Sequence, residues 1–192
     1  MARDILSEFW APVCAVGSHG TGGPNAQICV SVLGASVVPD RPRLLVSLWK
    51  SNYTHELVSA TGTMSVTVLS ERQASLVPLL GMLSGRDGDK LGGTGFEADT
   101  RGNPYFPGGA GTMACEVLDS LDMGDATAFL VAVRERARDG ALTPLSRWRM
   151  NEILGPEFQQ AWAAIAGERA PVYREQMVWR SQTIADGRQT SA

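Results

Sequence analysis

The chain has 192 residues, of which 44% are hydrophobic and 19% charged, and its formal net charge is −3. This length suits one domain with a sizeable core, and the composition excludes a disordered chain. The acidic balance also argues against a nucleic-acid-binding surface, which needs a basic patch.

Residues 1–10 lack the basic and apolar regions of a signal peptide, and no apolar run approaches the ~18 residues of a membrane span. The cysteines Cys14, Cys29 and Cys115 are odd in number and widely spaced, which argues against a disulfide framework and a zinc site. Each lies in an apolar run, so we expect buried free thiols. We therefore expect a cytoplasmic protein without a metal, a nucleic-acid partner or a membrane partner.

Short apolar or alternating segments predict β-strands through the first two thirds of the chain. The segment TMSVTVL alternates, which predicts a strand whose Ser65 and Thr67 face solvent or a ligand. Glycine and proline turns between the strands favour a closed or sandwiched β architecture. The predicted strands cover residues 11–17, 27–38, 43–49, 63–69, 113–119 and 126–135.

Two helices are predicted between these strands. The first covers about 53–60 and ends at Gly62. The second follows Leu69, where Ser70 and Gln73 have the spacing of a capping box. Pro78 lies inside this second segment and should kink or restart the helix, because proline lacks a backbone donor.

The C-terminal part reads as an extension of the same domain. A third helix is predicted from Pro156 to Gly167, with Phe158, Trp162 and Ile165 on one face. PVYREQMVWR (171–180) could add a strand. Trp148, Trp162 and Trp179 are expected to pack in the core or an interface. The glycine-rich segment 92–112 is a long loop, which is typical of a functional or mobile segment.

The segment SLWKSNYTHELV has the pattern of an anion-binding site. A strand ends at Trp49, a turn carries Lys50, Ser51 and Asn52, and a helix follows with Thr54 in its first turn. Free amides at a helix N-terminus, hydroxyls and a lysine complement an anion. The alternative is an ordinary helix capped by Thr54 or Ser51.

Other polar residues are ambiguous on sequence grounds. Asn25 follows a glycine–proline turn and precedes a strand. Ser31 and Ser36 lie in an apolar stretch, where a bound polar ligand or neighbouring backbone could satisfy them. In SGRDGDKL (84–91), the glycines suit a turn after a helix, and Asp87, Asp89 and Lys90 have the spacing of local surface pairs.

The succession PNAQICVSVLGASVVPDRP, SLWKSNYTHELV, SGRDGDKL, MACEV and GDATAFLVAV resembles the flavin reductase-like family, in particular its flavoredoxin-type branch. The resemblance covers about Ala11 to Glu135. It implies a mainly β fold, an FMN-binding split β-barrel with peripheral helices, in a homodimer. The expected division is a barrel domain at 1–140 with a C-terminal helical extension at 141–192, which could cover the flavin or build a dimer surface.

The resemblance also implies cofactor-binding residues. Asn25 stands where the family has an asparagine on the strand before the flavin. Ser31 and Ser36 lie on the stretch that lines the ribityl chain and the ring edge. The backbone near Ser36 and Val37 would face the pyrimidine end of the isoalloxazine ring. Ser51 and Thr54 match the phosphate turn, with Lys50 as its cation. Arg86 or Lys90 could reach a flavin or nicotinamide phosphate from a dimer partner, although a structural turn is the favoured interpretation of their segment.

Two positions depart from the family pattern. Asn52 stands where many relatives carry an arginine, so phosphate affinity falls unless Lys50 compensates. Ala126 stands where relatives commonly carry a histidine in a Gly-Asp-His-Thr motif. Alanine at this position removes a titratable hydrogen-bond donor near the flavin or nicotinamide site. No catalytic residue is evident from the sequence.

The leading hypothesis is an FMN-dependent oxidoreductase, with FAD as an alternative flavin. It would take reducing equivalents from NAD(P)H and reduce flavin or supply a partner oxygenase. One alternative is an FMN-dependent enzyme that acts on a specific small molecule. The other is a non-catalytic flavin-binding or electron-transfer protein.

Overall fold

The computed structural model describes residues 12–174 and 177, and its strands alternate with few helices. A short 3₁₀ turn, Glu71–Gln73, precedes the second helix. The elements in chain order are β1 (Cys14–Gly20), β2 (Gly23–Cys29), β3 (Val32–Gly34), β4 (Arg43–Trp49), α1 (Tyr53–Thr61), β5 (Thr63–Val68), α2 (Leu76–Met82), β6 (Glu97–Ala98), β7 (Pro104–Tyr105), β8 (Gly111–Asp122), β9 (Ala126–Arg138) and α3 (Arg147–Arg174).

One antiparallel sheet organises the described part of the chain. Its strand order is β2-β1-β5-β8-β9-β4-β3, and β6 and β7 form a separate hairpin. The long strands β8 and β9 shift register between Ala114 and Cys115 and again between Val117 and Asp119. Such bulges bend strands, and the sheet curls into a half barrel. The predicted mainly β fold with peripheral helices is confirmed.

The first five residues of β1 are buried on both faces, which explains the apolar run from Cys14 to Gly17. Cys14 and Val16 belong to the core inside the curled sheet, together with Met64 and Phe129. Ala15 points to the other side, into a second core beneath α2 and α3. The outer core holds Ile28, Leu69, Val77, Leu80, Phe106, Leu145, Met150 and Phe158 among others.

The three cysteines are free and buried, as predicted. Burial raises the pKa of the Cys29 thiol to about 11 and that of the Cys115 thiol to about 12. Burial also raises the pKa of Cys14. All three thiols are therefore protonated near neutral pH, which makes them poor nucleophiles and poor metal ligands.

Several local predictions are confirmed. Residues 43–49 form β4 as predicted, and α1 ends with Gly62 in the left-handed conformation at φ 67°. The Ser70 amide donates to Gln73 Oε1 at 3.3 Å, one of the two capping-box bonds, while the Ser70 hydroxyl donates to the Gly108 carbonyl. The segment around Pro78 restarts as α2 after the 3₁₀ turn.

The prediction that one side of β5 faces solvent is wrong. Ser65 and Thr67 are almost fully buried, because the 92–112 segment folds back over them. The Ser65 hydroxyl donates to the Pro104 carbonyl at 2.5 Å, and the Phe106 amide donates to Thr67 Oγ1 at 3.2 Å. This segment is therefore anchored against the sheet by hydrogen bonds and by the buried ring of Phe106.

Two predicted element boundaries are also wrong. The strand expected at 27–38 is two strands, β2 and β3, followed by an exposed loop. The predicted end of the third helix at Gly167 is wrong, because α3 continues to Arg174. Its predicted start at Pro156 is confirmed: Gly155, with φ 77° and ψ −179°, breaks α3, and Pro156 opens the second segment. The first segment, which starts at Arg147, was not predicted. A side chain at φ 77° would be strained, which is why glycine suits this break.

The predicted C-terminal strand at 171–180 is wrong where it can be compared, since 171–174 are helical. Its remainder lies outside the described residues apart from Met177, as do Trp179 and the N-terminal stretch in which a signal peptide was sought. Trp148 is 59% exposed in the single chain and is therefore not a core residue, whereas Trp162 packs against Phe158 at a centroid distance of 5.3 Å. Among the described residues, no helix is long and apolar enough to cross a membrane.

Candidate functional site

A cavity of about 840 Å³ opens between β2, β4, the start of α1, the 83–90 segment and α3. This volume lies within the usual range for sites that hold cofactor-sized ligands. Its wall combines Ile28 of β2 and Ser31, which lies between β2 and β3, with Trp49 at the end of β4. Trp162 and Arg169 of α3 line the opposite side. The C-terminal extension therefore forms one wall of the cavity.

The first turn of α1 is tied to β2 by a buried hydrogen bond. Asn25 Nδ2 donates to Thr54 Oγ1 at 2.7 Å, and both residues are almost fully buried. Gly85 packs directly on this pair, because a Cβ at that position would lie 2.2 Å from Asn25 Oδ1. The three residues hold the 83–90 segment against the start of the helix.

The N-terminus of α1 lines the cavity without a side-chain cap. The His55 amide donates to the Asn52 carbonyl at 3.0 Å, which leaves the amides of Tyr53 and Thr54 as free donors. Asn52 occupies the N-cap position, but its side chain makes no capping bond. Instead, Asn52 Oδ1 accepts a hydrogen bond from Arg169 Nη1 at 2.8 Å. The first amides of a helix have no acceptor within the helix. This turn therefore presents free donors and the positive end of the helix dipole to the cavity.

Two arginines flank this turn in different ways. Arg86 Nη1 donates to the Ser51 carbonyl at 3.0 Å, its Nη2 pairs with the Glu56 carboxylate, and its guanidinium lies over the Tyr53 ring. Arg169 lies over the ring of Trp49 at 5.6 Å, and its hydrogen-bond partner Asn52 is neutral. The charge of Arg86 is thus largely offset within its own contacts.

The interpretation of Lys90 as a surface charge is wrong. Lys90 lines the cavity, is 8% exposed, and donates to the carbonyls of Leu80 and Leu83 at the end of α2 at 3.1 and 2.9 Å. Burial lowers the pKa of its ammonium to about 8. Asp89 does not pair with it; its Oδ1 accepts from the amides of Leu91 and Gly92. Lys90 therefore caps α2 as well as lining the cavity.

Two buried polar atoms on the cavity wall have no hydrogen-bond partner. They are Gln27 Oε1 on β2 and Ser51 Oγ before α1. Gln27 is only 6% exposed. Leaving a buried polar atom unpaired costs about 1–3 kcal/mol, so both atoms indicate a ligand that supplies the missing partners. Gln27 was not predicted as a site residue, although a polar side chain between Ala26 and Ile28 on a buried strand indicates a special role.

Residues 6–149 match the family model described as "Flavin reductase like domain". The chain belongs to the flavin reductase-like family. This confirms the resemblance inferred from the sequence.

Two curated relatives are similar to this chain. A high molecular weight rubredoxin of Moorella thermoacetica is 29% identical over 115 residues, which cover 59% of this chain and 49% of the relative. The FMN reductase (NADH) RutF of Pseudomonas syringae is 28% identical over 122 residues, covering 64% of this chain and 67% of the relative. The chain thus spans about half the length of the first relative and about two thirds of the second.

Solved structures share the fold. The NADH:FAD oxidoreductase SgcE6 of Streptomyces globisporus superimposes with a TM-score of 0.67 at 22% identity, over 73% of this chain and 82% of that chain. At this identity the likeness bears on architecture alone. It identifies the curled sheet as the split barrel of the flavin reductase-like family.

The cavity brings together seven of the ten residues expected to bind a cofactor. These are Asn25, Ser31, Ser51, Asn52, Thr54, Arg86 and Lys90. The other three do not line it. Lys50 pairs with Asp122 at 2.7 Å, and Ser36 and Val37 lie on the exposed loop after β3. The cation expected at the phosphate turn is thus held elsewhere.

Ala126, which departs from the histidine expected from the family resemblance, is the first residue of β9. It is buried and pairs with Trp49 across the sheet. His55 lies close by, with Nε2 2.9 Å from Thr127 Oγ1 and its ring packed on Phe129. Burial, and secondarily Lys50, lowers the pKa of His55, so this ring is neutral near neutral pH.

The contributions of α3 to the cavity could not be located from the sequence. Met150 and Trp162 belong to apolar helical patterns, which predict packing but no ligand site. Arg169 is one of several charged residues on a helix, and nothing in its neighbours distinguishes it. Its position depends on where α3 crosses the cavity, which is set by tertiary packing.

Proposed function

We propose that this chain binds FMN in the 840 Å³ cavity and acts as an NAD(P)H-dependent flavin oxidoreductase. The observation that carries the proposal is the uncapped N-terminus of α1, which opens into a cavity of cofactor size within a flavin reductase-like domain. FMN offers a phosphate, a polar chain and an apolar ring, and FAD shares these parts. Residues of the cavity wall complement each of these three parts.

The phosphate fits at the start of α1. A phosphate monoester is nearly a dianion at neutral pH, and free helix amides with the positive dipole end complement it. Ser51 Oγ is buried there without a partner and would donate to a phosphate oxygen. Thr54 has its Oγ1 engaged as an acceptor from Asn25, which leaves its hydroxyl proton for a ligand oxygen.

The ring and side chain fit the wall formed by β2, by the residues that directly follow it and by the end of α2. Ile28 and Met82 supply apolar surface, and the buried Gln27 Oε1 would accept from an N–H or O–H of the cofactor. Ser31 adds a hydroxyl on the same wall. The flavin supplies the electron-transfer chemistry when bound; the chain's own residues bind it, orient it and exclude water. The α3 residues Trp162 and Arg169 would cover it.

A homodimer is part of the proposal. The outer face of β3, β4, β9 and β8 exposes large apolar side chains: Leu33 and Leu45 pair across two strands, and Leu121 is 66% exposed. Trp49 lies on the same face of β4 as Leu45 and also lines the cavity. An apolar face of this kind typically marks an interface, and a second copy would cover it together with the cavity mouth. Ser36 and Val37 follow Leu33 on this edge and would then approach the partner's flavin.

A second function is favoured by the shape of the site. The second segment of α3 lines the cavity with Trp162, Gln159 and Arg169, so the space beside the flavin is enclosed by residues of this chain. Ala126 also lacks the side chain that the family commonly places nearby. This combination favours an FMN-dependent enzyme for a specific small molecule. The supply of reduced flavin to a partner oxygenase is one form of the NAD(P)H-dependent flavin oxidoreductase activity proposed first.

Anaerobic reduction tests the proposed activity. The full chain is mixed with FMN and then with NADH or NADPH, and bleaching of the flavin band near ~450 nm is followed. We expect bleaching much faster than in the protein-free mixture. Bleaching at the protein-free rate, with FMN bound, would contradict the reductase and favour the substrate-specific enzyme. The variant Ser51→Ala, which keeps the Asn25–Thr54 bond, should slow bleaching at low FMN concentration.

A further inference from the structure

Arg169 reaches the start of α1 from the far end of the chain. Its Nη1 donates to Asn52 Oδ1 at 2.8 Å, and its guanidinium lies 5.6 Å from the centre of the Trp49 ring. Both partners line the same cavity as Arg169 itself. These two contacts fix the plane of the guanidinium beside the turn that carries the free helix amides.

The cations around this turn differ in what offsets their charge. Arg86 pairs with Glu56, and Lys50 pairs with Asp122. Lys90 has its ammonium engaged by two backbone carbonyls. Within the residues that the structure describes, no carboxylate pairs with Arg169. The charge of Arg169, whose hydrogen-bond partner is a neutral amide, is therefore available at this turn to be complemented by a ligand.

Two independent observations favour a ligand beside the Arg169 guanidinium. Ser51 Oγ, in the residue before Asn52, is buried without a hydrogen-bond partner. Gln27, which is 6% exposed, lines the same cavity, and its buried Oε1 has no hydrogen-bond partner. A cation without a carboxylate, free helix amides and an unpaired hydroxyl together match a phosphate group.

We propose that Arg169 supplies the guanidinium that recognises the phosphate of the bound flavin side chain, with Asn52 as the residue that positions it. The inference rests on the proposed function and goes beyond it by making α3 part of the cofactor site. Asparagine at position 52 is too short to reach a ligand as an arginine would. Its amide oxygen instead holds an arginine that arrives from α3.

The geometry also links cofactor binding to the docking of α3. Arg169 lies on the second segment of the helix, which follows the break at Gly155. A phosphate bound to both Arg169 and α1 would bridge the helix to the barrel. Ligand that binds the docked form stabilises it, so FMN should protect residues 156–174 from hydrogen exchange more than riboflavin does.

Equilibrium affinities for FMN and riboflavin test the inference, because riboflavin has the same ring and chain without the phosphate. Fluorescence quenching gives both Kd values for the full chain. We expect Arg169→Ala to weaken FMN binding by about ten- to a hundred-fold, the loss of one charge-assisted bond. Riboflavin affinity should change by less than about two-fold. Arg174→Ala, an exposed arginine on the same helix, should leave both values unchanged.

Two further variants sharpen the result. Asn52→Ala should lower FMN affinity selectively, but less than Arg169→Ala. Asn52→Arg in the Arg169→Ala background should recover part of the FMN affinity, because it returns a guanidinium to the turn. FAD, titrated in parallel, should follow FMN if its first phosphate occupies the same place.

The outcomes separate the inference from the proposed function. If the unaltered chain binds neither flavin, the proposed function fails and the inference fails with it. If it binds FMN but Arg169→Ala leaves the ratio of FMN to riboflavin affinity unchanged, the inference alone is overturned. Equal weakening of both ligands would also overturn it, since Arg169 would then merely hold α3 in place.

Discussion

Asn25 Nδ2 donates to Thr54 Oγ1 at 2.7 Å, and this bond joins a barrel strand to the first turn of α1. Both residues are almost fully buried, so neither can exchange its partner for bulk water. The bond fixes how far the helix N-terminus projects into the cavity. The geometry of the anion site therefore depends on a strand residue that the sequence suggests only as part of a turn.

Thr54→Val should destabilise the fold, because it keeps the shape of the side chain and leaves Asn25 Nδ2 without its acceptor. The expected loss is about 1–3 kcal/mol in the free energy of unfolding, the usual cost of an unpaired buried donor. Urea unfolding of the chain without flavin measures it. Thr143→Val, on an exposed residue, is the matched control. Equal stability of the two variants would show that the bond contributes nothing.

Gly85→Ala should also disturb the Asn25–Thr54 hydrogen bond, because Gly85 packs directly on Asn25. Its Cβ would lie 2.2 Å from Asn25 Oδ1, too close for any relaxed structure. The clash should lower the thermal unfolding midpoint by about 2–4 °C for each kcal/mol of stability lost in a domain of this size. At Gly140 an added Cβ meets no atom within 4 Å, so Gly140→Ala is the control. An unchanged midpoint for Gly85→Ala would mean that the 83–90 segment moves aside freely.

Lys90 should titrate well below an ordinary lysine. Burial lowers its pKa from 10.5 to about 8. The chain has two lysines, Lys50 and Lys90, so ¹³C-labelled lysine gives two side-chain NMR signals, and Lys50→Arg assigns them. We expect the Lys90 signal to titrate with a midpoint near pH 8. A midpoint near 10.5 would contradict its burial beneath the cavity.

The same shift predicts how stability depends on pH. Between about 8 and 10.5 the unfolded chain still binds the lysine proton while the folded chain has released it. The free energy of unfolding therefore receives a contribution that rises with pH across this window and is constant below it. Lys90→Met should remove that rise. Urea unfolding at a series of pH values, compared with Lys50→Met, measures the difference; identical slopes would contradict the prediction.

The apolar outer face should carry the dimer contact. Leu45→Lys combined with Leu121→Lys places two charges on this face and should give a monomer by light scattering after gel filtration. Val172→Lys changes a residue of α3 that is 65% exposed and should leave the assembly intact. A wild-type chain that is monomeric at micromolar concentration would contradict the dimer proposal.

The sequence predicts those parts of the fold that depend on local patterns. Residues 43–49 form β4, as a short apolar run between Pro42 and a polar turn predicts, and Gly62 ends α1 because it accepts a left-handed backbone. The same reasoning fails where tertiary packing covers a polar face. Ser65 and Thr67 look solvated in the sequence but are buried by the 92–112 segment.

In the candidate site, too, the local pattern is predictable from the sequence and the long-range contact is not. The turn at Ser51 and Asn52 follows from a strand, polar residues and a helix start in succession, so the sequence reveals it. Arg169 does not, because its contact with Asn52 joins residues 117 positions apart in the chain. Lys50 illustrates the converse: it is adjacent to the turn in sequence, yet its ammonium pairs with Asp122.

The central claim is that this chain holds a flavin in its cavity, and the most direct test is the spectrum of the purified full chain after incubation with FMN and gel filtration. We predict retained absorbance bands near ~370 and ~450 nm, with about one FMN per chain and loss of the bands in Ser51→Ala/Thr54→Val at low FMN. A colourless protein that takes up no FMN at any concentration would contradict the account.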